Sequence, residues 1–80
     1  MPYIMAKRRA EILAHKTPHG PGELNYAFTE IIKTYLATFG ESYQVYNDIV
    51  GALECCKLEL YRRKIVPYED VKIVTNGDAY

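Results

Sequence analysis

The sequence predicts an all-α protein built on an antiparallel helical hairpin with short N- and C-terminal segments. Two long stretches carry apolar residues at intervals of three and four, the spacing along one face of a helix. A short connection around Gly40 and Glu41 joins them, so the two helices are expected to fold back on each other. The 80 residues have room for one small domain. We place an N-terminal arm at 1–21, the hairpin at 22–64 and a C-terminal tail at 65–80.

The first helix of the hairpin is predicted over residues 22–39. Pro21 is tolerated in a first helical turn, and Gly40 suits the left-handed conformation that often ends a helix. The apolar stripe of this helix consists of Leu24, Phe28, Ile31, Tyr35 and Phe39, widened by Ala27, Ile32 and Leu36. A stripe this wide requires another layer to cover it.

The second helix is predicted to begin at Ser42, a good N-cap residue, and to run to about Lys64. Pro67 is expected to prevent its simple continuation. The apolar stripe of this helix consists of Tyr46, Ile49, Leu53, Cys56 and Leu60, with Val50 at its edge. Because a two-helix hairpin has no third layer, the flanking segments or a second copy must cover both stripes. We therefore expect a homo-oligomer.

The flanking segments carry weaker signals. Residues 6–15 predict a short helix, residues 1–4 look extended, and residues 17–22 (TPHGPG) form a loop. For residues 67–76, acids in a first turn and an Asn-Gly stop favour a third short helix, whereas alternating Val71 and Ile73 would support a strand. We expect the helix.

Charge and composition exclude several classes of function. Ten basic and ten acidic residues give a net charge of zero and a pI near 6.7, which argues against general binding to nucleic-acid phosphates. No apolar run is long enough to span a bilayer, and the N-terminal residues lack the apolar h-region of a signal peptide, so we expect a cytoplasmic protein without a membrane partner. Cys55 and Cys56 are neighbours, which disfavours a disulfide between them.

One face of the second helix is a candidate binding surface. At 100° per residue, the residues that project away from the apolar stripe are Asn47, Gly51, Glu54, Leu58 and Arg62. Glycine inside a helix costs about 1 kcal/mol relative to alanine, so Gly51 indicates close approach of a ligand or of another helix. Both explanations remain open: a ligand groove over Gly51, or a small-residue helix crossing between subunits.

The basic end of the same helix is a candidate phosphate site. Arg62 and Arg63 can grip a phosphate bidentately, and the rings of Tyr61 and Tyr68 can stack on a base. The alternative is a solvated helix end whose cations neutralise the helix dipole.

Catalytic chemistry is not predicted. The single serine is better used as an N-cap, no phosphate-binding glycine loop is present, and no cofactor or metal site is expected. Helical nucleotide pyrophosphatases of the MazG type bind magnesium through paired acids on facing helices. The acids here, Glu23 with Glu30 and Asp48 with Glu54, lie seven and six residues apart and do not match that spacing.

Four strings together carry a family resemblance: GELNYAFTEIIKTYL at 22–36, YNDIVGALECCKLELYRR at 46–63, PYEDVKI at 67–73 and NGDAY at 76–80. With the opening MPYI, this pattern resembles short proteins of unassigned function from tailed phages, prophages and some bacterial genomes. The resemblance covers nearly the whole chain and implies a phage or prophage setting, without any catalytic residues. Small phage proteins often inhibit host processes, or act as oligomeric sponges that sequester nucleotide signals of bacterial immunity.

We therefore expect a non-enzymatic homo-oligomer that binds a phosphorylated, nucleotide-like ligand and acts as an anti-defence sponge. The expected ligand-binding residues are Asn47, Gly51, Glu54, Tyr61, Arg62, Arg63 and Tyr68. The first alternative is an interaction protein that binds and inhibits a host protein. The second, ranked lower, is a metal-dependent nucleotide phosphohydrolase that would use the four acids named above.

Overall fold

Helices make up most of the computed structural model, which describes residues 4–14 and 16–80. Within these residues there is no strand, and the predicted all-α fold is confirmed. The helical segments are α1 (Ala6–Leu13), α2 (Gly20–Phe39), α3 (Tyr43–Leu60), a π-helical segment (Tyr61–Ile65) and α4 (Val66–Asn76). The chain divides into two compact units, Met1–Val45 and Tyr46–Tyr80, and each is described by itself. The antiparallel packing of the hairpin and its boundaries with the arm and tail stay predictions.

In the first unit, α1 packs against α2. Ile12 is the buried apolar residue of this contact, at 6% exposure. The predicted short helix of the arm is confirmed over Ala6–Leu13, whereas residues 1–3 of the predicted extended segment lie outside the described residues. A polar contact also joins the two helices, because Arg8 Nε donates to both carboxylate oxygens of Glu23.

The ends of α2 follow from local chemistry. The helix begins at Gly20, two residues before the predicted start, because Pro21 is accommodated within the first turn, where a backbone N–H would have no helical acceptor. It ends at Phe39, as predicted. Gly40 follows with a φ of 81°, a conformation that side chains with a Cβ rarely adopt, and its N–H donates to the Leu36 carbonyl at 2.8 Å.

The predicted N-cap of the second hairpin helix is confirmed. The Val45 N–H donates to Ser42 Oγ at 3.1 Å, which pairs one of the free amides of the first turn of α3.

The predicted end of this helix near Lys64 is wrong, because the helical backbone continues past Pro67 to Asn76. The π-helical segment explains how. The Val66 N–H donates to the carbonyl of Tyr61, five residues earlier, which widens the turn just before the proline. A wider turn relieves the clash between a proline ring and the preceding turn's carbonyl, the usual reason that proline breaks a helix.

The tail forms a helix, as expected, and the strand alternative is excluded. After α4 the chain ends its helical course at Gly77, with a φ of 89°. The Gly77 N–H donates to the Ile73 carbonyl at 2.8 Å. Asn76-Gly77 therefore ends a helix here, rather than forming a hairpin turn.

Candidate functional site

The predicted ligand-binding residues all lie in the second unit, on α3, the π-helical segment and α4. Every one of them is exposed. From Asn47 to Arg62 the helix rises about 22 Å, at 1.5 Å per residue. Within one copy these residues therefore form a strip along a helix rather than the wall of a pocket.

The basic end of the strip is a real cluster. Arg62 Nη2 donates to Glu59 Oε2 at 2.7 Å, and Arg63 Nε approaches the same oxygen at 3.4 Å. One carboxylate thus pairs with two guanidinium groups. Lys64 is the next residue of the π-helical segment. Because each guanidinium carries five N–H donors, most donors of both arginines stay available to an anion.

The two tyrosines of the predicted site lie on either side of this cluster along the chain. Tyr61 begins the π-helical segment, and its side chain is about half exposed. Tyr68 is more exposed, and the Lys72 ammonium lies 5.5 Å from the centre of its ring. Tyr68 therefore combines a cation–π contact with a ring that is 61% exposed.

The Gly51 face is open in one copy. Apart from its chain neighbours and the backbone of its own helix, a Cβ built on Gly51 would meet no atom of the described residues within 4 Å. Packing within that part of the chain therefore does not account for the glycine, and both explanations from the sequence, a ligand or another helix, stay predictions. One turn later, Glu54 pairs with Lys57 at 3.1 Å, so its carboxylate is partly neutralised.

The acids considered for metal binding are mostly engaged in ion pairs. Glu23 bonds Arg8, Glu30 bonds Lys33 at 3.0 Å, and Glu54 bonds Lys57. The Arg8 guanidinium holds the pKa of Glu23 at about 2, with help from the His19 backbone N–H at 2.8 Å. Among the described residues, no three metal-ligating side chains come together.

Sequence reasoning missed a groove in the first unit. An open cavity of about 720 Å³ lies between the end of α1, the following loop and α2. Its lining consists of Ile12, Leu13, Lys16, Thr17, Pro18, Ala27, Glu30, Ile31, Thr34, Tyr35, Thr38 and Phe39. Lys16 and Glu30 are the charged members of this lining, while Thr34 Oγ1 and Thr38 Oγ1 donate to carbonyls of their own helix at 3.0 and 2.9 Å. The apolar spacing of α2 signals such a surface, but no local pattern shows where α1 packs.

Comparisons with known proteins give a family but no activity. Neither the curated proteins nor the solved structures include a match to the chain. Within the described residues, no helix combines the length and the apolar character that crossing a membrane requires. A family model described as a domain of unknown function, DUF6899, matches residues 1–79. The chain therefore belongs to the DUF6899 family.

Proposed function

We propose that this chain is a non-enzymatic, cytoplasmic binding protein that captures a phosphorylated, nucleotide-like ligand at a site completed by a second copy. The observation that carries the proposal is the π-helical segment. It presents Arg62, Arg63 and Lys64 in succession, and Glu59 pairs with both arginines. Segments of π-helix are rare and occur often at functional sites.

The chemistry of this end suits both parts of a nucleotide. Two guanidinium groups that share a carboxylate can exchange part of that pairing for a phosphate, which also accepts bidentate hydrogen bonds. Tyr61 and Tyr68 supply exposed aromatic rings near these cations, and stacking of a base on such rings contributes about 1 to 3 kcal/mol.

A second copy is part of the proposal because the strip is open. Ligand sites bury most of their ligand's surface, whereas the proposed residues are all exposed on one helical run. Opposition of two such runs would enclose a ligand, and the absent side chain of Gly51 would permit their close approach.

The proposed setting is a phage or prophage, where binding without turnover would sequester a nucleotide signal of bacterial immunity. This rests on the resemblance of the chain's four strings to short phage and prophage proteins. Catalysis by a metal is not part of the proposal, because Glu23, Glu30 and Glu54 are already ion-paired.

The test is direct binding. We would titrate the protein calorimetrically with ATP, NAD and a cyclic dinucleotide, and analyse protein purified gently from cells by native mass spectrometry. A stoichiometric ligand that is released unchanged on denaturation is the expected result. Arg62→Ala should weaken binding about tenfold to a hundredfold, because a hydrogen bond to a charged group contributes about 1.5 to 3 kcal/mol.

Two variants sharpen this test. Lys7→Ala removes the same charge from an exposed position on α1 and should leave affinity unchanged. Glu59→Gln removes the carboxylate that competes for both arginines and should tighten binding several-fold. If Arg62→Ala and Lys7→Ala weakened binding equally, the loss would reflect the net charge of the protein and not a site at Arg62. If none of the three nucleotides bound, the proposal would be rejected.

A second candidate function is inhibition of a host protein by direct contact. It is favoured by the exposed apolar and tyrosine side chains of α4, which are Val66, Tyr68, Val71, Ile73 and Val74. If this is the function, Val71→Glu should abolish capture of one specific host protein from a bacterial lysate, while Arg62→Ala should leave that capture intact.

A further inference from the structure

The stripe on α2 is uncovered in the described chain. Ile31 is 69% exposed and Phe39 is 64% exposed, while Leu24, Phe28 and Tyr35 are each about two-fifths exposed. The contact between α1 and α2 therefore leaves this face open. With Ile32, which is half-buried, these residues form what we call the central stripe.

The sequence of α2 has a symmetry that bears on what covers the central stripe. About the midpoint between Ile31 and Ile32, each apolar residue from Leu24 to Phe39 has an apolar counterpart at equal distance on the other side. The matched pairs are Leu24 with Phe39, Tyr26 with Ala37, Ala27 with Leu36, Phe28 with Tyr35, and Ile31 with Ile32.

The polar residues obey the same symmetry. Asn25 matches Thr38, Thr29 matches Thr34, and Glu30 matches Lys33. The last pair is oppositely charged, and its members bond each other within one helix at 3.0 Å. A reversed copy of α2 would therefore place like chemistry opposite like chemistry, without placing like charges at the same level.

We propose that the central stripe is a homodimer interface, in which α2 of one copy packs antiparallel on α2 of a second copy about a two-fold axis between Ile31 and Ile32. In such a pair of helices, the two residues of each matched pair lie at the same height along the helix axes. Leu24 of one copy then faces Phe39 of the other, and Phe28 faces Tyr35.

Helical geometry centres the stripe on that axis. We measure angles around the helix axis from the direction midway between Ile31 and Ile32. At 100° per residue, all members of the central stripe lie within about 50° of this direction, and the two residues of a matched pair lie at equal and opposite angles from it. Tyr35 and Phe39, whose rings lie 4.7 Å apart, also line the groove described above. Phe28 and Leu24 of the second copy would lie beside these two rings and cover one edge of the groove.

The area and the dipoles are consistent with a dimer. An aromatic side chain offers about 200 Å², so the exposed fractions of the central stripe amount to on the order of 450 Å² per copy. Two copies together approach the roughly 1,000 Å² that marks a small specific interface. Antiparallel pairing also sets the N-terminus of each helix dipole beside the C-terminus of the other.

Cysteine cross-linking tests the register. In a background of Cys55→Ser and Cys56→Ser, Leu24→Cys protein is mixed with Phe39→Cys protein and oxidised without ligand. We expect disulfide-linked heterodimers on a non-reducing gel, and little linkage of either variant to itself, since like positions are separated by about 22 Å along the axis. Circular dichroism checks that each variant keeps its helicity.

The matched control uses a pair at the same level but away from the stripe. Thr29→Cys and Thr34→Cys lie about 110° from the midline and should not link. Self-linkage of Leu24→Cys would show a parallel pair, and a monomer without linkage would show that no second copy covers the stripe; either overturns the proposal.

This interface on α2 is distinct from the opposed α3 strips of the proposed ligand site, and the two proposals fail separately. Cross-linking without nucleotide binding would reject the ligand and keep the dimer. Nucleotide binding without cross-linking would reject the α2 dimer and keep the ligand.

Discussion

Glu23 receives hydrogen bonds from two neighbouring segments. Arg8 Nε, on α1, donates to its two carboxylate oxygens at 2.9 and 3.1 Å, and the His19 N–H donates from the loop at 2.8 Å. Arg8 also bonds Glu11 and the Thr17 carbonyl. One charged contact therefore joins α1, the loop and the first turn of α2.

This contact predicts a pH dependence. Folding lowers the pKa of Glu23 from 4.5 to about 2, chiefly through Arg8, so its stabilising effect is complete above about pH 5 and is lost as the pH falls towards 2. Glu23→Gln should therefore be less stable than the wild type at pH 7, and the difference should vanish near pH 2. Urea unfolding across this pH range measures it, with Glu69→Gln as a control from α4. A difference that stays constant with pH would exclude the charged contact as the cause.

At this scale, local signals were predictable and distant ones were not. Ser42 and Gly40 act through backbone groups a few residues away, and both roles can be predicted from sequence. The partners Arg8 and Glu23 are 15 residues apart, with a loop between them. Their pairing depends on how α1 docks, which no local spacing determines.

At the scale of elements, the π-helical segment changes what the proline does. Pro67 lies in the first turn of α4 but within a continuous helical backbone, where its missing N–H and its ring would normally cost about 3 kcal/mol. The expected helix break did not occur because the preceding turn widened. A proline at this position predicts a break in the helix. The widened turn depends on the hydrogen bond from the Val66 N–H to the Tyr61 carbonyl, five residues earlier, which has no sequence signature.

Pro67→Ala should reverse this adaptation. It restores an N–H, so we expect the π-helical segment to tighten towards α-helix and the free energy of unfolding to rise by about 1 to 3 kcal/mol. The angular offset between Arg62 and Tyr68 would change, and nucleotide affinity should fall if both contact one ligand. Thermal unfolding and calorimetry measure the two effects, with Val66→Ala as a neighbour that restores no donor. A more stable variant with unchanged affinity would separate the proline from the proposed site.

For the whole molecule, the periodicity of apolar residues predicted the all-α fold class. It did not predict a pocket, because the proposed binding residues form an exposed strip within one copy. The predicted binding residues from Asn47 to Tyr68 lie along one helical run, and the groove in the first unit was not anticipated. Helical spacing shows which residues share a face, as on α2, but not what covers that face. Ile12 is the one buried side chain among the described residues, so further burial of apolar surface must come from whatever covers this face.

If a second copy covers the central stripe, stability must depend on concentration. Mass action favours the folded dimer as protein is added, so the midpoint of thermal unfolding should rise by several degrees between about 1 and 100 μM. Phe28→Glu places a charge beside Tyr35 of the other copy, and it should abolish this dependence and give a monomer by sedimentation. Val74→Glu, at an exposed site on α4, should keep the wild-type behaviour. A midpoint that is independent of concentration in the wild type, together with a wild-type monomer by sedimentation, would mean that no second copy covers the stripe and would overturn the dimer.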